Sequence, residues 1–297
     1  MISNRKYSFI IVVASYAGAL AAGIAVFAAT PGLDALWRLA AADIAATLVI
    51  WLLSLIVRNA SLYDPYWSVA PAIIFVLYMF YMGKLDAPAF LLLTLLLLWG
   101  ARLTANWAIG FANLSAQDWR YTKFESEYRR LWPLISLFGI QLMPTVIVFL
   151  AMLPALHIVM QPAGLRILTV PAMLAAAGAI WLELVSDAQM RRFRADSANA
   201  GCVNNRGLWR IIRHPNYLGE IAFWWCIYFT ALSMAPLPVA LLLGPVLVTA
   251  LFLFVSIPMM EKRQLGTKPG YRAYQRSVGM LLPRLRNRGD DSEPVED

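Results

Sequence analysis

Long apolar runs separated by short polar breaks make up almost the whole chain. Runs able to cross a bilayer lie at about Phe9–Ala29, Leu36–Val57, Trp67–Met82, Pro88–Phe111, Pro133–Val159, Leu165–Met190, Gly219–Ser233 and Leu237–Met259. The last two are separated only by Met234-Ala235-Pro236. They read as a helical hairpin or as one kinked, re-entrant element. The pattern predicts an all-α, polytopic membrane bundle of seven to eight helices, with no internal repeat and no separate soluble domain.

Composition sharpens this. The chain is 60% hydrophobic and 14% charged, with a mean hydropathy of +0.62. A soluble domain carries roughly 25% charged residues, so most of this chain belongs in lipid. Cys202 and Cys226 make no disulfide framework and are expected to be reduced. The first apolar run spans rather than marking a cleaved leader. A net charge of +8 reflects topology rather than nucleic-acid binding.

The cations sort by side. With the N-terminus in the cytoplasm and eight spans, Arg5, Lys6, Arg58, Arg120, Lys123, Arg129, Arg130, the stretch from Arg191 to Arg213 and the C-terminal tail all fall inside. Only Arg38, Lys84 and Arg166 remain outside. The polar loops at 112–132 and 191–215 and the tail after Met260 are then cytoplasmic. Beyond Arg288 the sequence reads as disordered.

Polar residues recur at helical spacing. Glu183, Asp187, Arg191 and Arg194 share one face, as do Trp99, Arg102, Asn106 and Asn113. The first stripe reads as an ion-pair ladder at the boundary or as a ligand cleft. Arg102 alone could snorkel; Asn106 beside it favours a cavity face. Asn216, Glu220 and Trp224 form a third stripe, opened by Pro215, which suits a first helical turn. There Asn216 and the free N–H groups suit an anionic or amide ligand. Glu220 can accept from a ligand amide or pair with an Arg.

The break Arg58-Asn59-Ala60-Ser61-Leu62-Tyr63-Asp64-Pro65-Tyr66-Trp67-Ser68 joins two spans. Asp64 reads as an N-cap for the helix that follows. It reads equally as a carboxyl whose pKa is raised by an apolar boundary, able to polarise a carbonyl. The tail supplies Glu261, Lys262, Arg263, Tyr271, Arg272 and Tyr274, suited to phosphates and flat rings. An anionic-lipid patch would also use Lys262, Arg272 and Arg276. His214 has no second His or Cys at ligand spacing, so no metal site is expected. Neither a Rossmann fingerprint nor a Walker A loop is present.

Ser186-Asp187, Arg191, Arg194, Gly207-Leu208-Trp209, Asn216-Tyr217-Leu218-Gly219-Glu220 and a basic tail with Tyr271 and Tyr274 together resemble the steroid 5α-reductase family. Tyr63-Asp64-Pro65-Tyr66-Trp67-Ser68 and Asp118-Trp119-Arg120-Tyr121 are similar to its bacterial membrane-protein branch. The resemblance covers roughly residues 58–284. It divides the chain into N-terminal transmembrane helices (1–57), a reductase-like membrane domain (58–284) and a tail (285–297).

What the resemblance implies is NADPH-dependent reduction of a 3-oxo-Δ4-steroid at the inner membrane, with the cofactor cleft facing the cytoplasm. Asp187, Arg191 and Arg194 would face the dinucleotide. Asn216 and Glu220 would hold the nicotinamide end, and Arg263 with Tyr271 or Tyr274 would border the adenosine or phosphates. Arg102, Asn106, Glu183, Asn205, Arg206, Trp209, His214 and Tyr217 complete the cofactor candidates. Asp64 would polarise the 3-ketone. Trp99 stands where the animal enzymes carry a partner tyrosine, which makes the neighbouring Tyr63 a candidate replacement. Trp67, Trp99, Phe223 and Trp224 are the substrate-binding candidates.

Two rival classes remain. Arg213-His214-Pro215-x-Tyr217 also resembles membrane methyltransferases of the isoprenylcysteine and phospholipid type, which bind S-adenosylmethionine. Their tail carries paired acids, whereas this chain reads Glu261-Lys262-Arg263. A transporter would continue its polar path to the other face, and here the polar groups cluster on one side.

Overall fold

The computed structural model describes residues 3–284. The expected tail at 285–297 lies outside them. The helices are α1 (Arg5–Ala29), α2 (Ala35–Val57), α3 (Tyr66–Tyr81), α4 (Ala87–Gly110), α5 (Trp119–Glu127), α6 (Trp132–Met160), α7 (Thr169–Ala195), α8 (Pro215–Met234), α9 (Val239–Thr267) and α10 (Tyr271–Ser277). Among the described residues there is no strand, only an isolated bridge between Ile212 and Gly279. The chain is an all-α, multi-pass membrane bundle.

Six of these helices, α1, α2, α4, α6, α7 and α9, are long and apolar enough to cross a membrane. The other two expected spans form α3 and α8, which are shorter or less apolar than these six, although the Asn59 bonds to Leu114 and Ala116 join the start of α3 to the chain after α4, as two crossings between them require. At 16 residues, α3 reaches about 24 Å, short of a hydrocarbon core of about 30 Å. In α8, Asn216 and Glu220 enter the first two turns, which lowers its apolarity. The helices α8 and α9 are separate elements joined through Ala235–Pro238 rather than one continuous helix.

The described chain falls into two compact units. One comprises everything up to Leu174 together with Trp224–Val248. The other comprises Ala175–Phe223 and the described chain from Thr249. In the first unit α1 packs along α2, α3 along α4, and α6 against α2, α3 and α4. Small residues set these approaches. A Cβ on Gly100 of α4 would strike the Ser68 carbonyl of α3, and one on Gly244 would strike the backbone at Leu150 and Ala151. Inside α6 and α9, the segments Ser136–Leu142 and Phe252–Ser256 widen to π geometry, a distortion often found beside functional sites.

Candidate functional site

The turn between α2 and α3 is built by capping. Arg58 ends α2 in the left-handed conformation (φ 54°). Its N–H bonds to Leu55 O, and the Asn59 N–H reaches Ser54 O, a Schellman arrangement that satisfies the last carbonyls. Asn59 then accepts from Ser61 N and donates through Nδ2 to the carbonyls of Leu114 and Ala116, both at 2.9 Å. Gln117 Oε1 accepts from Ala60 N at 2.7 Å, and Asp118 N donates to Ser61 Oγ at 3.0 Å. These bonds pin the start of α5 onto the turn.

The result is a contact across 57 residues of sequence: the Tyr121 hydroxyl donates to Asp64 Oδ1 at 2.8 Å. Burial raises the Asp64 carboxyl to about 7, and the nearby Asp118 charge adds to this. The Tyr121 bond, the Arg120 charge and Ser61 oppose the rise. Arg120 is itself held by Asp118, at 2.9 and 3.1 Å. Tyr121 is pushed up as well, first by burial and then by the Asp64 charge, so its phenol stays a donor. A half-neutral carboxyl backed by a buried phenol can donate a hydrogen bond to a carbonyl oxygen at neutral pH.

Tyr63, the candidate partner read from sequence, is not hydrogen-bonded to Asp64. Neighbours on a tight 3-10 turn (Ala60–Tyr63) project about 120° apart. The Tyr63 hydroxyl lies in a separate chain of bonds, 2.9 Å from Thr145 Oγ1, which is 3.0 Å from Thr47 Oγ1. The structure brings Tyr121 to Asp64 instead. The sequence offered a signal in Asp118, which caps α5 by accepting from Arg120 N and so fixes where Tyr121 points.

Three of the substrate-binding candidates meet in the first unit. Trp99 stacks edge-on against Trp67 at 5.8 Å and against Trp224 at 4.9 Å. Arg102 of α4 is buried in the same unit and Asn106 half-buried. Phe223 is fully buried in the second unit.

The remaining cofactor candidates belong to the second unit and divide in two. One group is locked internally. Glu261 Oε1 accepts from Arg213 Nε at 2.7 Å and lies 3.0 Å from His214 Nε2, while Oε2 accepts from Gln275 Nε2 at 2.7 Å. His214 stacks on Tyr217 at 5.3 Å, and Tyr217 meets Phe252 of the π segment at 4.8 Å. Trp209 Nε1 donates to Ser186 O at 3.1 Å, and the Tyr274 hydroxyl donates to Trp209 O. Tyr271 and Tyr274 are buried against each other, with rings 5.7 Å apart. The backbone joins in, with Arg213 N donating to Gly279 O and His214 N to Met280 O. Glu183 and Glu220 are buried, and Gly219 packs so close to Glu183 that a Cβ would strike its side chain.

The other group is accessible. Arg194, Asn205, Arg206 and Arg263 are exposed, and Asp187, Arg191 and Asn216 half-buried. Arg192 and Arg206 line a polar cavity of about 260 Å³ with Gln189, Asp196, Asn199 and Asn204. Gly207 closes it at φ 57°, where a side chain would meet Gln189. Lys268 is depressed first by burial and then by the charge of Arg194. Two arginines lining a polar hollow suit an anionic ligand. Arg192 and Arg206 fit the phosphates of a dinucleotide, Arg192 being added to the residues read from sequence.

The fold and these clusters define a multi-pass helical membrane protein with a buried acid–tyrosine pair and a basic, aromatic second unit. The chain belongs to the family described as a protein of unknown function, DUF1295, whose profile matches residues 50–278. It is similar to an uncharacterized protein of the yeast Schizosaccharomyces pombe, 28% identical over 264 residues, covering 80% of this chain and 76% of the relative. No solved structure matches.

Proposed function

We propose that the protein is an NADPH-dependent reductase of a carbon–carbon double bond conjugated to a ketone, acting on 3-oxo-Δ4-steroids or a similar lipid enone. The observation that carries this reading is the Asp64–Tyr121 pair, an acid poised near neutrality with a phenol bonded behind it. Asp64 in its protonated form donates to the ketone oxygen. The Tyr121 bond stabilises the carboxylate that Asp64 approaches as negative charge grows on that oxygen. Trp99 and Trp224 are buried against each other, so of the three only the half-buried Trp67 would present ring surface to a flat lipid. NADPH, when bound, would supply the hydride for the β-carbon, C5. A proton from water then adds to the α-carbon, C4, as the enolate collapses and the ketone is restored. Arg191, Arg194, Arg192 and Arg206 would hold the phosphates, with Asn216 and Glu220 at the nicotinamide amide. On the positive-inside reading these basic residues face the cytoplasm, the inner face of the membrane in a bacterium.

The methyltransferase reading is weakened by Glu261. That tail acid is already engaged by Arg213, His214 and Gln275, which leaves it poorly placed to hold a cationic sulfonium.

The test is NADPH oxidation by the detergent-purified protein with testosterone or progesterone, with product analysis by mass. The expected result is a gain of two hydrogens with 5α stereochemistry. NADPH binding with turnover of a different lipid enone would keep the reaction and change the substrate. Saturable S-adenosylmethionine binding with no NADPH binding would overturn the proposal.

A further inference from the structure

A second acid–tyrosine pair lies outside the chemistry above. Asp43 of α2 is 7% exposed, and its Oδ1 accepts from the Tyr66 hydroxyl of α3 at 2.8 Å. Among the described residues, Asp43 Oδ2 has no hydrogen-bond partner. Both residues line an apolar cavity of about 470 Å³ enclosed by α1, α2 and α3, within the usual size of small-molecule sites. Small residues create the hollow: Gly23 of α1 sits 3.2 Å from the Ala42 carbonyl when given a Cβ, and Ala42, Ala46 and Ala70 line the wall. Leu20, Ile24 and Leu77 on its rim are 38%, 50% and 43% exposed, so the cavity opens sideways, where acyl chains would lie. It follows α3 from Tyr66 to Tyr81, a length of about 22 Å. At the far end the buried Tyr78 hydroxyl also lacks a partner.

An ionisable side chain inside a spanning helix marks function by default, and a half-bonded carboxyl in an apolar hollow specifies its ligand. Its open oxygen accepts when the carboxyl is ionised and donates when it is protonated; a hydroxyl meets either state, whereas an enone meets only the second. A zwitterionic or phosphate head would have to shed its hydration to enter, whereas a single hydroxyl is cheap to desolvate once bonded. A fatty acid would bring a second carboxylate beside the first. Its charge complement, Arg38, is instead at the rim, bonded to Tyr81 at 2.8 Å and stacked on Phe27 at 4.0 Å. We propose that the cavity between α1, α2 and α3 binds a neutral single-chain lipid alcohol, its hydroxyl bonding to the open oxygen of Asp43. The residues of α1 and most of α2 precede the 50–278 segment shared with the family, and the proposal stands apart from the reductase reading.

The experiment is photo-crosslinking of the full-length protein in nanodiscs with a long-chain alcohol carrying a diazirine and an alkyne, followed by peptide mapping. Saturable labelling of α1–α3 is expected. Unlabelled long-chain alcohol should compete, and its methyl ether and the fatty acid of equal length should compete about tenfold less well. Labelling should fall about tenfold in Asp43→Leu and in Ala42→Phe, which fills the hollow. The methyl-ether comparison is made on the wild-type protein, so it decides the matter even where a variant fails to fold. Non-saturable labelling, equal competition by the ether, or full labelling of a folded Asp43→Leu protein would each overturn the proposal. NADPH binding and turnover are separate readouts, so a failed reductase assay leaves this result interpretable.

Discussion

Carboxylates in the two units solve burial differently. In the first unit Asp64 and Asp43 each take a hydrogen bond of 2.8 Å from a tyrosine. In the second, Glu261 is surrounded by Arg213, His214 and Gln275. A phenol stabilises a carboxylate only modestly and leaves its other oxygen open to a ligand. A guanidinium and an imidazole consume the acceptor capacity and hold the carboxylate charged, so the group becomes a brace. The contrast teaches that an acid's partner, more than its burial, decides whether it is available for chemistry. The two tyrosine pairs differ in turn by setting: Asp64 has Asp118 and Arg120 within electrostatic reach, whereas Asp43 looks into an apolar hollow.

The largest effect should follow from removing the available acid. Asp64→Asn is expected to lower turnover by about 10²-fold or more, the usual scale for a positioned acid or oxyanion donor. NADPH affinity should change little. Asp64 does not cap α3, whose N-cap is Pro65 with no side-chain bond; equal loss of turnover and NADPH binding would give it the structural role of tying α5 to the turn, and the contrast between available and bracing acids would fail.

Removing the brace should act on stability instead. Glu261→Ala leaves Arg213 and His214, whose side chains are 11% and 5% exposed, without their carboxylate. A loss of about 3 kcal/mol is expected, read as a lower denaturation midpoint and faster proteolysis of the segment from α10 onward. Glu261→Gln, which keeps a carbonyl acceptor, should recover part of it. An unchanged midpoint in Glu261→Ala would show that the cluster is not a brace.

Much of this was visible in the sequence, and what was not has a physical reason. Helices such as α1, α2 and α6 declare themselves because apolar length alone satisfies the bilayer. The short run at Trp67–Met82 was legible too and appears as α3 over Tyr66–Tyr81, bounded by the Schellman turn at Arg58 and the buried turn at Ala60–Tyr63. Asp64 stood out, but its partner lay 57 residues away, and the adjacent Tyr63 was the natural guess. Adjacency in a 3-10 turn separates side chains rather than joining them. Asp43, a lone acid within an apolar run, carried a signal that depended only on depth. Trp209, His214 and Tyr274 were recognisable as a cluster, but their bonding to one another appears only when the tail folds back on the 209–214 segment.

A smaller effect should separate the two tyrosines near Asp64. Tyr121→Phe removes a bond that favours the ionised carboxyl, so the Asp64 pKa should rise above its value of about 7. The protonated donor is the active form. Wild-type turnover should therefore fall as pH rises through about 7, and the variant should hold its protonated fraction to higher pH. Its maximal rate should nonetheless drop by about tenfold, because the developing carboxylate loses its support. Tyr63→Phe should leave the limb near 7 and cost only about 1 kcal/mol of stability, the worth of its bond to Thr145. Parallel pH–rate profiles decide between the two. A limb that moves in Tyr63→Phe and stays fixed in Tyr121→Phe would reverse the assignment and make the sequence neighbour the working partner.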